Sequence, residues 1–334
     1  MISNDLPLID LHRHLEGNIR LSTILELAQQ HNLPLPANNE ARLRPFVQIS
    51  ERQPGVMAFI EKFNIPMSVL VDLEACRRIA HEAVLDAAAE GIDYLELRFS
   101  PWFMAEAHAL PPQGVVEAVI DGIASGSAQA GILVKLLGIL SRTYGAVVAK
   151  QELEALLPYH DKITGLDLAG DEANFPVELF QEHFHLAQEA GWQITVHAGE
   201  SAGPESIWKA IELLGAQRIG HGLAAVRDER LMDRLFEHQI GIEANLTSNV
   251  QTSSVTDYAS HPLRIFLENG LLATINSDDP GISGINLRYE YDVAAPLAGL
   301  TEAQIRQAQL NALESAFLKP KEKQELLRKK QSPG

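Results

Sequence analysis

The sequence predicts an α/β chain folded as a (β/α)8 barrel, with extra helices inserted after the first strand. Three observations carry this: a recurring helix–glycine–strand unit, eight apolar runs, and polar residues gathered where those runs end. Glu74 to Glu90 shows the unit first, with Ala75, Ile79, Ala83 and Ala87 at helical spacing, Gly91 as its cap, and the run from Ile92 to Phe99 behind it. Glu178 to Ala190 repeats it before Gly191 and the run Trp192 to Val196, and shorter copies follow at Gly215 and Gly270. Adding the other apolar runs places strands near residues 7–14, 92–100, 133–140, 162–170, 193–200, 218–222, 241–249 and 271–280. Strands alternating with helices imply parallel pairing, and eight of them imply closure; an open doubly wound sheet is the competing architecture. The gap over residues 15–91 is too long for one connection, so its extra helices are expected over one end of the barrel. One domain over residues 1–334 accommodates all of this.

Composition narrows the function classes. Of 334 residues, 46% are hydrophobic, and 27 basic against 44 acidic residues give a formal charge of −17. That balance repels a phosphate backbone and speaks against nucleic acid as a partner. The lone Cys76 excludes an internal disulfide and any metal site built on paired thiolates. No run reaches the roughly 20 apolar residues of a membrane span; Gly131 to Leu140 comes nearest and is interrupted by Lys135. The N-terminus lacks the basic start and apolar core of a signal peptide, so the cytoplasm is the expected location. Nothing in the sequence specifies an oligomeric state.

The strand ends hold the chemistry. His12 and His14 stand two apart on a strand, so both side chains face one way and can reach one ion. His183 and His185 share the spacing on a helix, where they diverge by about 200°. His197 adds a third imidazole and Asp278 a carboxylate, a donor set that suits one Zn2+ per chain with a position left for water. Zinc acidifies such a water into a usable nucleophile. Glu200, three residues past His197, can face the same pocket as a proton donor, or else cap the helix near Pro204. His221 can orient the water or take its proton, or be a hydrogen-bonded strand-end residue. Asp279 points away from Asp278 and can accept from substrate, although Asp-Asp-Pro-Gly is also good turn chemistry. No phosphate-loop glycine spacing or serine elbow is present.

These residues sit in motifs that resemble the adenosine deaminase family. They are His12-Arg13-His14-Leu15-Glu16-Gly17-Asn18, Asp167-Leu168-Ala169-Gly170-Asp171-Glu172, Thr195-Val196-His197-Ala198-Gly199-Glu200, Arg218-Ile219-Gly220-His221-Gly222, Leu246-Thr247-Ser248-Asn249 and Asn276-Ser277-Asp278-Asp279-Pro280, in family order. The resemblance implies a TIM barrel with zinc on His12, His14, His197 and Asp278. It makes Glu200 the proton donor to purine N1 and His221 the residue that positions and deprotonates the attacking water. Asp279 then partners that water or N7, and the Gly170 N–H meets N3. His14 and Glu16 also face the substrate, and Phe59 and Phe63 resemble an apolar lid over the ribose, or else form one face of a core helix. The implied reaction converts adenosine or 2′-deoxyadenosine to the inosine product and ammonia. Two departures stand out. Glu16 occupies the usual place of an aspartate that meets the ribose 5′-hydroxyl, which leaves free adenine or a modified purine as the second reading. Ala244-Asn245 replaces a serine–cysteine pair. A metallohydrolase for another bond and an inactive binding protein are the remaining alternatives; neither needs Glu200, Asp279 and Gly170 together.

Overall fold

A computed structural model describes residues 2–331, so the two ends of the expected 1–334 domain lie outside the described residues. Eight parallel strands pair in chain order: β1 (Ile9–His14), β2 (Tyr94–Phe99), β3 (Leu133–Ser141), β4 (Ile163–Ala169), β5 (Gln193–Ala198), β6 (Arg218–His221), β7 (Gly241–Ala244) and β8 (Ala273–Ile275). The ring closes where Arg13 bridges Asp278: His14 N–H donates to the Asp278 carbonyl (2.9 Å), and Asp278 N–H donates to that of His12 (2.8 Å). This is a TIM barrel, as the repeating unit predicts, and helices separate the strands. Among the described residues, no helix is long and apolar enough to cross a membrane.

The helix preceding β2 spans Leu73–Ala89 and is capped by Asp72, whose side chain accepts from Ala75 N–H. Its face of Ala75, Ile79, Ala83 and Ala87 is buried, as the spacing predicts. The predicted helix over 178–190 begins as a tight 3-10 turn, Val177–Phe180, and becomes α-helical over Gln181–Glu189. The long first connection holds short helices, including Leu21–Gln30, Glu40–Val47 and Val56–Ile60. It crosses the C-terminal rim of the barrel: Ile49 N–H donates to the Ile282 carbonyl (2.8 Å) and Gln53 N–H to that of Gln251 (2.7 Å).

Two strands are much shorter than predicted. β7 stops at Ala244, and Leu246–Gln251 is a helix. Leu246 through Asn249 are all buried, and an element buried on every side carries no periodicity to tell strand from helix. β8 likewise ends at Ile275, leaving Ser277 to Asp279 on the rim.

Candidate metal centre and substrate pocket

Pairing of β5 with β6 sets His197 opposite Gly220 and Ala198 opposite His221. A Cβ on Gly220 would lie 3.0 Å from His12 Cε1 and 3.3 Å from His197 Cα, so a side chain there would crowd both histidines. His12 Nε2 lies 3.2 Å from Asp278 Oδ1, and His14 Nε2 lies 3.4 Å from the same oxygen. His14 Nε2 and His197 Nε2 are 3.3 Å apart. Donors 2.0–2.1 Å from a tetrahedral ion stand about 3.3–3.4 Å from one another, so these separations are those of ligands around a common centre. His12 Nε2 is buried with no hydrogen-bond partner, a cost that a metal bond removes. His221 is close as well: ligand atoms of His12, His197, His221 and Asp278 all fall within 4.8 Å of one another. His221 Nε2 is nevertheless 3.9 Å from Asp278, farther than His14. The residues present therefore fit a divalent metal.

The back of each ring is also fixed. His12 Nδ1–H donates to Glu243 (2.6 Å) and His197 Nδ1–H to Asp167 (3.0 Å), turning both Nε2 lone pairs to the centre. Arg98 joins the two carboxylates, at 2.7 Å to Asp167 and 2.8 Å to Glu243, and Arg218 adds a 2.6 Å contact to Glu243. Burial opposes ionising Glu243, but the Arg98 and Arg218 guanidiniums outweigh it and hold its carboxyl well below the usual range. For Asp278, burial is outweighed by the surrounding His12, His221 and His14 rings, again to a low value. Burial above all keeps His14 and His197 below the ordinary imidazole range, whereas at His12 burial and Arg98 are outweighed by the Asp278 and Glu243 carboxylates, which raise it; a bound metal would displace that proton. Neutral imidazoles with an ionised carboxylate are the protonation states a metal requires.

His221 and Asp278 both take left-handed backbone, with φ of 63° and 59°, a strained geometry that concentrates at functional positions. The His221 ring is oriented by a relay. Leu263 N–H donates to His261 Nδ1 (3.1 Å), so neutral His261 carries its proton on Nε2 and donates to Asn249 Oδ1 (3.1 Å). The Asn249 amide nitrogen then donates to His221 Nδ1 (2.9 Å). Asn245, one of the two departures, places its amide nitrogen 3.3 Å from the same atom.

Glu200, Asp279, Glu16, Gly170, Phe59 and Phe63 line the pocket above this centre, together with His14, His197, His221 and Asp278. Burial, then the Asp278 and Glu172 charges, push Glu200 up to about 8. Burial, then Asp278, Glu16 and Glu200, hold Asp279 well above the usual range. Gly170 has φ of 112°, and a Cβ there would meet Thr143 Oγ1 at 2.4 Å, so the backbone comes to the pocket bare. Glu16 accepts from Ser100 N–H (2.6 Å) through one oxygen, while the other is buried without a partner. Phe59 and Phe63 are buried with ring centroids 6.1 Å apart on consecutive helical turns, Val56–Ile60 and Glu61–Phe63, where they border both the core and the pocket.

All the expected site residues thus border one cavity, except His12, which sits beneath it. The motif reading missed Arg98 and Glu243 and gave Asp167 no role. Their signal was charge inside strands that a barrel buries on both faces.

A parallel barrel whose strand ends aim imidazoles and a carboxylate at one point belongs to the class of metal-dependent hydrolases. A family model described as Adenosine deaminase matches residues 7–332. A protein named adenosine deaminase from Edwardsiella ictaluri is 59% identical over 331 residues, covering 99% of each chain. The chain belongs to the adenosine deaminase family. Among solved structures, adenine deaminase from Arthrobacter aurescens superposes with a TM-score of 0.89 at 25% identity, covering 97% of this chain and 98% of that one. An amidohydrolase from Burkholderia ambifaria with bound Zn gives 0.86 at 25% identity, covering 96% and 88%.

Proposed function

We propose that this protein is a zinc-dependent hydrolase that deaminates adenosine and 2′-deoxyadenosine to inosine and 2′-deoxyinosine, releasing ammonia, as part of purine salvage. The observation that carries it is the facing of a metal-type donor set, His12, His14, His197 and Asp278, by a carboxyl at Glu200 that burial keeps protonated. A bound Zn2+ supplies Lewis acidity that makes a water nucleophilic near neutral pH.

The chain's residues supply the rest. The adenine ring presents three bare acceptors, N1, N3 and N7. Three donors face the pocket: the Glu200 carboxyl, the Gly170 N–H and the Asp279 carboxyl, which is held protonated. Glu200 gives its proton to N1, which draws electrons from C6 and opens it to attack. With Nδ1 accepting from Asn249, the neutral His221 ring carries its proton on Nε2. It therefore orients the attacking water by donating to it, the first of the two roles open to it in the sequence. One proton of the water restores Glu200, and the other leaves with ammonia. Phe59 and Phe63 exclude solvent over the sugar.

The unpartnered oxygen of Glu16 favours a nucleoside, because an acceptor without a donor is matched by a sugar hydroxyl that free adenine lacks. Similarity points the same way, at 59% identity to the adenosine deaminase against 25% to the adenine deaminase. Ultraviolet turnover of adenosine, 2′-deoxyadenosine and adenine, with and without a chelator and alongside metal analysis, tests the reading. Nucleoside turnover that a chelator abolishes and zinc restores supports it. Turnover of adenine alone moves the substrate, and activity indifferent to chelation overturns the metal.

A further inference from the structure

Glu172 follows Gly170 by two residues on the segment after β4 and is only 5% exposed. Its carboxylate accepts from four successive backbone amides: Gly199 (2.5 Å), Glu200 (3.1 Å), Ser201 (2.9 Å) and Ala202 (3.1 Å). The Ser206 hydroxyl (2.5 Å) and, at longer range, the Ser201 hydroxyl (3.4 Å) add two more. An ionised carboxylate offers about four lone-pair sites, so this one is saturated. Capping of the next helix does not explain the arrangement. That helix spans Pro204–Leu214, and the four amides all precede it; only Ser206 belongs to its first turn.

The Glu200 side chain is held far less tightly. Its carboxyl has long contacts only, to Asn249 Nδ2 (3.3 Å), Thr252 Oγ1 (3.5 Å) and Ser254 Oγ (3.5 Å), all on one oxygen. Its direction is therefore set by its backbone, and Glu172 grips that backbone on both sides of it. We propose that Glu172 is a positioning residue for proton transfer: by clamping residues 199–202 it aims Glu200, and through its own segment it ties that aim to Gly170. The donor to N1 and the amide that meets N3 then move as one unit, matched to two nitrogens at fixed separation in one ring. This rests on Glu200 being the acid. The charge on Glu172 also disfavours ionising Glu200, after burial and Asp278.

The test is a double-mutant cycle on the full chain with adenosine as substrate. Glu172→Gln keeps the shape but turns an amide donor toward donors. It should lower kcat by about ten- to a hundredfold, with KM within about threefold and bound metal unchanged. Glu172→Asp, which keeps the charge, should recover at least about threefold of that loss. In a Glu200→Gln background, Glu172→Gln should cost less than about threefold more, because the group it aims is gone. An equal loss in both backgrounds, or an unchanged kcat in Glu172→Gln, overturns the inference while leaving Glu200 as the acid. Near-normal turnover in Glu200→Gln alone removes the acid and this inference together. Should Glu172→Gln not be recovered folded, Ser206→Ala runs the same cycle: a kcat loss of about two- to fivefold confined to the Glu200 background supports the clamp. No loss, or one of equal size in both backgrounds, overturns it.

Discussion

The proposed metal wall and the proposed sugar wall of the pocket are equally buried, yet their carboxyl groups are shifted in opposite directions. On the metal wall Asp167 and Glu243 share Arg98, and Asp278 lies among three imidazoles; all three carboxyls are held low. On the sugar wall Glu16 and Glu152 both bond Ser100, and Glu152 also takes the Ser141 N–H (2.6 Å). Among the described residues neither has a cationic hydrogen-bond partner, and burial pushes both up to about 7. Burial alone thus decides nothing; the partner does. On these two walls the paired carboxylates stay ionised and orient ligands, while the unpaired ones are left as acids or as acceptors for a neutral substrate.

The largest break in this contrast is Glu200→Gln. It removes the protonated acid without touching the metal wall, so turnover should fall by at least about two orders of magnitude with metal content unchanged. Loss of metal in that variant would place Glu200 on the other wall. Glu243→Gln acts from the opposite side, leaving the His12 ring poorly oriented and Arg98 short of a charge. Metal affinity should drop by about 10–100-fold in competition with a chelator, and an unchanged affinity would make the ion-pair layer purely structural. The pH profile is subtler. Because the Glu200 carboxyl is raised from its usual value to about 8, its donating form persists at neutral pH, and kcat should decline as pH rises through that region. A dication offsets part of the Asp278 charge, so the decline is centred at or below about 8. It should be absent in Glu200→Gln. The smallest effect is that of Glu16→Asp, which puts back the shorter carboxylate that the family resemblance sets against the ribose 5′-hydroxyl; the adenosine-to-adenine ratio of kcat/KM should rise by about tenfold or less. An unchanged ratio would mean that Glu16 does not read the sugar.

The parts of this architecture legible in the sequence were those written in short range. Strand count came from repeated glycine stops, and convergence at His12, His14, His197 and Asp278 came from strand-end polarity. Glu172 was visible only as part of a motif, because its role depends on a segment 27 residues away that pairing of β4 with β5 brings beside it. The Arg98 layer was hidden for a related reason: Asp167, Arg98 and Glu243 come from three strands, and only closure puts them in contact. The Leu246–Gln251 helix was hidden by uniform burial.

The seam between β1 and β8 has a consequence for the life of the chain. His12 and His14 emerge among the first residues and Asp278 near the last, and Asp278 is also the residue whose backbone closes the ring. During synthesis the donor set stays incomplete until more than four-fifths of the chain is made. A metal held there fastens the first strand to the segment after the last, so whatever it contributes in binding also opposes opening of the barrel. Chelation should therefore loosen the seam first.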